Sequence, residues 1–384
     1  MVWQSVAIMV LGACTGDSPE TTETAAPEPT GTTPPMTADT SPTGDTGPKS
    51  TTDTGPTLPR VLPRDSLVVP DKVGVTFLGL DGSLLESFTW SDLVGPCATC
   101  GGEGGSPDGD GLLLSFTTGD GPGNVGAVAR VNGKGQLDFR VNGFAFPHDV
   151  IRDPADNHLA VVATFTNDVR WIAGDGSSGT VLRSIGSSDP EFPNTPNGAE
   201  LLEYNGRNFI LLSHRPNANG RITLWDITDP KDPVFVWRFP ETGRIAVPHG
   251  PILRQRGADW WLLWAHTNGG PSGRGSVGLA VTTDPTLRPT YVADLDPEPD
   301  IAPFTFLRGV ELLDDGRMYV TDSGSAGGNG DGRIFLATFP TLAPSGNGEV
   351  GSIGDQRFET LGPAPLIYDD VTSPFEAWYW PPVN

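Results

Sequence analysis

Five histidines occur in the 384 residues, and four of them open or close copies of one repeated stretch. His148 to Phe165 reads HDVIRDPADNHLAVVATF, Asn197 to His214 reads NGAELLEYNGRNFILLSH, and His249 to His266 reads HGPILRQRGADWWLLWAH. Arg308 to Ser323, RGVELLDDGRMYVTDS, is a shorter copy, and GEGGSPDGDGLLLSF, ending at Phe116, is a degenerate one. An imidazole is a nucleophile, a proton carrier and a metal ligand near neutral pH, so its recurrence at matching positions needs a cause. Three chemistries fit. In the first, His148, His249 and His266 act as nucleophiles or proton carriers on a small anion clamped by Arg308, with His214, Asn197, Asp149 and Asp322 lining the same pocket. In the second, the imidazoles bind a metal ion with a carboxylate from Glu103, Asp149 or Asp322. In the third, the histidines hydrogen-bond between neighbouring repeats and plug the centre of the fold.

Each copy starts with a polar residue and a small or acidic one, passes a polar turn and closes on a β-rich run such as NFILLSH or WWLLWAH. Fifty glycines and 38 prolines punctuate short apolar runs with DG, NG and DP turn signals, the pattern of an all-β chain. No amphipathic helix of three turns stands out. A period of about 50 residues is that of propeller blades. Residues 73–90 read as two strands about a DG turn and match the second half of a later unit, 169–186. Residues 364–380 read as two further strands. The expectation is therefore a six-bladed β-propeller of four-stranded blades, the last closed by two N-terminal and two C-terminal strands, which leaves no free edge. In a blade the first strand lines the axis and the second runs back beside it. The starts of first strands and the ends of second strands then share one rim, where His148, His214, His249, His266, Asn197 and Arg308 are expected. His158 falls after the turn, on the opposite face.

Several stretches carry family resemblances. ITLWDITDPKDPVFVWRFP (222–240) resembles a segment of certain extracytoplasmic propellers, and GVELLDDGRMYVTDSG (309–324) is similar to the units of gluconolactonase-like and NHL-type propellers. PHDV at 147–150, followed by TNDVRWI at 166–172 and GTVLRSIG at 179–186, and the blade-spaced PHG at 248–250 resemble the bacterial arylsulfotransferases. That resemblance implies a six-bladed propeller that moves sulfate from an aryl donor to a phenol through a histidine. By position His148 and His249 match the family's first-strand histidines, and His249 is the favoured nucleophile. His266 stands where an arginine is expected, which leaves Arg308 as the obvious cation. A metal-dependent lactonase-like hydrolase, with ligands among Asn197, Glu200 and Asp322, and a non-catalytic binding propeller are the alternatives. No organic cofactor is called for; a metal ion is compatible.

The formal charge of −23 excludes a nucleic-acid surface, which needs a basic stripe. Residues 1–14 end in LGAC and resemble a lipoprotein signal with Cys14 as the lipidated residue. Residues 15–65 are rich in Thr, Pro and acids and are expected to be a disordered linker; the propeller occupies 66–384. This layout implies an extracytoplasmic monomer, lipid-anchored to a bacterial outer membrane and in contact with the membrane through that anchor alone. Its expected partner is a small anionic or aromatic molecule. Cys97 and Cys100, in GPCATCGG, are expected to form a local disulfide in such a compartment. The Asp/Gly loops at 106–111, 119–124 and 327–333 lack the oxygen spacing of a calcium loop and read as turns. Trp260 and Trp264 share one face of a strand as core, with Trp261 on the other.

Overall fold

The computed structural model describes residues 61–382, apart from 98, 119–124, 216–219, 230, 242–244, 246, 268–274, 297–303, 325–330, 339–357, 361–365 and 373. The LGAC ending with Cys14, nearly all of the Thr/Pro-rich stretch and the loop at 119–124 lie outside these residues. So does most of the loop at 327–333. Strands β1 (Ser66–Pro70), β2 (Gly74–Leu78) and β3 (Leu84–Thr89) come first, followed by a one-turn helix α1 (Trp90–Val94). Thr89 and Asp92 cap that turn reciprocally, and Trp90 donates to the carbonyl of Asp71 at 3.0 Å. Blade 1 is β4–β7 (Gly101–Asp108, Gly111–Thr117, Val125–Val131, Leu137–Ala145) and blade 2 is β8–β11 (Pro147–Arg152, Leu159–Ala163, Asp168–Ile172, Arg183–Gly186). Blade 3 is β12–β15 (Pro196–Tyr204, Arg207–His214, Arg221–Asp226, Val234–Phe239). Blade 4 is β16–β19 (Pro248–Arg256, Asp259–His266, Ser276–Thr282, Thr290–Asp296), extended by β23 (Phe358–Thr360), which pairs in parallel with β19. Blade 5 is β20 (Leu307–Leu312), β21 (Arg317–Asp322), β22 (Asp331–Thr338) and β24 (Leu366–Thr372).

The sixth blade has the order β25–β1–β2–β3, with β25 (Trp378–Trp380) innermost. Six blades and a closing blade of mixed origin are as the repeat implies, but the split is one C-terminal strand to three N-terminal ones. Residues 366–372 pair with β22 and complete blade 5, so they do not help to close the ring. The strand missed at the start, SLVVP, is buried on both faces and shows no alternation.

Six apolar clusters follow one another around the ring, one between each pair of neighbouring blades. This is why sheets buried on both faces consist of near-continuous apolar runs such as Leu159–Ala163 and Phe209–Leu212. Trp260 and Trp264 fill the cluster between blades 3 and 4, and Trp261 packs on the next one. The Asp108–Gly111 turn joins β4 to β5, with Gly109 at a φ of 59°. Cys97 and Cys100 are disulfide-bonded just before β4. Among the described residues no helix is long and apolar enough to cross a membrane.

Candidate functional site

The inner strands β4, β8, β12, β16, β20 and β25 run around the axis, and five of them share one irregularity. A β-bulge falls near the start of each, at Gly102/Gly104, Pro147/Asp149, Pro196/Gly198, His249/Ile252 and Leu307/Gly309. In four blades the residue left out of the pairing is Glu103, His148, Asn197 or Arg308. In blade 4 the bulge starts one residue later, just after His249. A bulge re-aims side chains and breaks the alternation between the two faces. The prolines before His148, Asn197 and His249 suit a strand's first residue, because no ladder N–H is lost there. In the sixth blade the equivalent residue is Glu376, two positions before β25.

The result is a ring of Glu103, His148, Asn197, His249, Arg308 and Glu376, one residue from each blade. The first five are buried, with at most 7% of their surface exposed. The His148 and His249 rings lie 5.0 Å apart. His249 Nε2 receives the Asn197 amide at 2.6 Å and faces the Arg308 guanidinium at 3.5 Å, which makes it an acceptor and puts the proton on Nδ1. His148 Nε2 is 3.9 Å from Glu103 Oε2. Arg308 is held between the rings of Phe306 and Phe375, at 4.6 and 4.7 Å. Above His148, Phe146 stacks on the exposed Phe165, with ring centroids 4.8 Å apart.

Seven buried polar atoms of this ring have no hydrogen-bond partner among the described residues: Glu103 Oε2, both nitrogens of His148, Asn197 Oδ1, His249 Nδ1, Arg308 Nε and Glu376 Oε1. Buried polar atoms are normally paired, so this concentration on the axis marks a place built to receive polar groups. Burial holds both imidazoles well below their usual range, and the charges of Arg308 and Arg215 push them further down. Burial raises Glu103 to about 8 against the opposing pull of Arg308. It raises Glu376 well above its usual value, with Asp149 adding to the rise. Arg308 falls to about 10, mainly by burial, and stays cationic. At neutral pH the ring therefore presents two neutral imidazoles, the protonated Glu103, an amide and one guanidinium, with Glu376 as its sixth member. It is an electropositive spot in an acidic protein.

Glu103 gives this electrostatics a stability signature. Its pKa is higher folded than unfolded, so the folded state binds the extra proton, and stability falls as pH rises from the unfolded value near 4.5 toward 8. Glu103→Gln removes that loss. The variant is expected to gain on wild type steadily between pH 5 and 8 in denaturant melts, and parallel curves would contradict the assignment.

Not every residue read from the repeat comes to the ring. His148, His249, Asn197 and Arg308 do, and Asp149 sits one residue deeper, accepting from the backbone N–H of Ala199 at 3.0 Å. His214 and His266 do not. They pair with Pro196 and Pro248, one residue before the ring positions, and face the interior of their own blades. His214 is bonded to Thr223 Oγ1 at 2.8 Å with its ring edge on Phe192, and His266 Nε2 is paired with Asp294 at 2.8 Å beside the Trp264 indole N–H at 3.0 Å. Asp322 accepts from the backbone of Thr305, Phe306 and Gly324 and pairs with Arg333, so it serves as a loop anchor. Glu200 lies in the far half of the channel, bound to Arg254, so Asn197, Glu200 and Asp322 do not form one ligand set. Among the described residues no group of three or more His, Cys, Asp or Glu side chains is placed to hold a metal ion. His158 sits in the β8–β9 turn on the other face, against Asp156.

One ring member and one nearby cation escaped the reading of the repeat. Glu376 lies two residues ahead of a strand only three residues long, although Phe375-Glu376-Ala377 has the same apolar-polar-small order as Leu307-Arg308-Gly309. Arg215 directly follows β13 and is tied by its N–H to Thr195 at 2.7 Å.

No protein-family model matches the sequence, and no curated protein matches it. Solved structures do. The periplasmic gluconolactonase PpgL of Pseudomonas aeruginosa is similar over 81% of this chain and 98% of its own, with 13% identity and a TM-score of 0.50. A hypothetical selenium-binding protein of Sulfolobus tokodaii is similar over 85% of this chain and 82% of its own, with 12% identity and a TM-score of 0.52. At these identities the likeness supports the propeller fold and not an activity.

Proposed function

We propose that this protein is an enzyme that hydrolyses or transfers a group carried by a small organic anion, with the axial ring as its active site. The observation that carries this reading is the clustering of seven unpartnered buried polar atoms around one cation. Arg308, with Arg215 nearby, would hold the anionic group, and the Phe146–Phe165 stack would receive a flat apolar part of the substrate. The geometry favours His148 over His249 as the nucleophile. The Nε2 lone pair of His249 already accepts from Asn197 and faces Arg308, while both nitrogens of His148 lack partners. In the forward step a His148 nitrogen bonds to the electrophilic centre as the bond to the leaving oxygen breaks, and that oxygen takes the proton of Glu103. In the second step a water or acceptor hydroxyl attacks the imidazole-bound group, returns a proton to Glu103 and frees His148. His249 and Asn197 orient Arg308.

The LGAC ending at Cys14 and the Thr/Pro-rich stretch support an extracytoplasmic, lipid-anchored setting, with which the Cys97–Cys100 disulfide agrees. The reading is tested by incubating the purified protein with 4-nitrophenyl sulfate, 4-nitrophenyl carboxylate esters and an aldonolactone, each with and without a phenolic acceptor. Saturable turnover of an anionic member is expected. Saturable binding of those anions without turnover would make the ring a binding site instead.

A further inference from the structure

Beyond the ring the axial channel widens into a cavity of about 570 Å³ whose lining includes the β20–β21 turn, so it opens on the face opposite the imidazoles. Ile151, Ile252 and Val310 supply apolar wall, and Glu200, Glu311 and Arg254 supply charge. The charges do not balance. Arg254 is bonded both to Glu200 and, at 3.2 Å, to Glu311, so one guanidinium serves two carboxylates. Glu376 stands at the inner end with Oε1 shielded from solvent and without a partner. Carboxylates shielded from water are normally paired, and here the cavity holds more of them than Arg254 can serve. Asp314 and Asp315 at the mouth add negative charge, with Arg317 beside Asp315.

We propose that this cavity is a second ligand site that binds a small alkylammonium ion, its charged head between Glu311 and Glu376 and its alkyl part on Ile151, Ile252 and Val310. The volume lies within the range of small-molecule pockets, and apolar walls with few convergent polar groups suit such a ligand. The site takes the opposite sign of charge from the ring above it. The two are separated by a neck where Gly104 and Gly250 leave room for Glu376: a Cβ at those positions would come within 3.2 and 3.6 Å of its carboxylate. The proposal does not rest on the reaction assigned to the imidazole face.

The groups facing the head set the pH dependence. Glu311 faces Arg254 and Glu200, while Glu376 faces Asp149, Arg308, Glu103 and Glu311. Burial lifts Glu311 to about 6 and raises Glu376 well above its usual value, so a proton competes with the ligand at both carboxyls. Binding is expected to release protons and to weaken as pH falls through 6.

Calorimetric titration of the full chain with n-butylammonium chloride tests this, with n-butanol as the neutral probe of similar size. One saturable site per chain is expected, with no matching affinity for butanol. Glu311→Gln should weaken it about tenfold or more, as should Glu376→Gln, while Asp232→Asn at the exposed surface should leave it unchanged. Both cavity variants are checked for cooperative melting first. Binding that survives both cavity variants would be general attraction to an acidic protein and would overturn the proposal. So would equal affinity for butanol, or displacement of butylammonium by low calcium, which would make this a metal site.

Discussion

His148→Ala is expected to lower kcat/KM for the responsive substrate by about a thousandfold, the largest effect of any ring substitution. His148 is the one imidazole on the axis with both nitrogens uncommitted, and it faces the protonated Glu103. Removing it takes away the attacking atom itself. His249→Ala should cost less, because that ring acts by receiving Asn197 and facing Arg308. Added imidazole offers a control, since a small base entering the truncated site should restore part of the rate to His148→Ala and none to Arg308→Met. A His249→Ala loss exceeding that of His148→Ala, with both variants folded, would reverse the roles.

The second large effect concerns stability. Arg254→Met is expected to destabilise the fold by about 3 kcal/mol at pH 8, the cost of leaving carboxylates without their counter-charge, discounted because cavity and solvent reach part of the guanidinium. The sign with pH follows from the partners. Without Arg254 the Glu200 and Glu311 carboxyls rise further, so they take up protons at lower pH and the loss shrinks toward pH 5. Adding Glu200→Gln and Glu311→Gln to Arg254→Met should recover much of it. Denaturant melts at the two pH values measure both quantities, and an equal loss at pH 5 and 8 would show that Arg254 contributes by packing alone.

The fold was legible because propeller blades repeat, and because five of the six inner strands carry, near a bulge at their start, a polar residue followed by a small or acidic one. The closing blade was harder to read. Ser66–Pro70 is a short apolar run without alternation, and only pairing decides whether residues 366–372 lie beside β22 or close the ring. The site was half legible. His148, Asn197, His249 and Arg308 were found from equivalent positions, yet His214 and His266 share those repeats and face elsewhere. The bulge is the reason: it shifts the alternation of the inner strand relative to its neighbour, and residue types do not reveal where the extra residue falls. Glu376 was hidden because it lies just ahead of a strand of only three residues. The far cavity, with Glu200, Arg254 and Glu311, emerges only when three inner strands are set side by side around an axis.

The central claim is that the axial ring does chemistry on a small anion, and turnover of the aryl sulfate, aryl ester and lactone set by wild type beside His148→Ala tests it most directly. The account predicts saturable release of product from an anionic substrate by wild type, lost in His148→Ala while the melting transition is kept. Equal rates in the two proteins would contradict it.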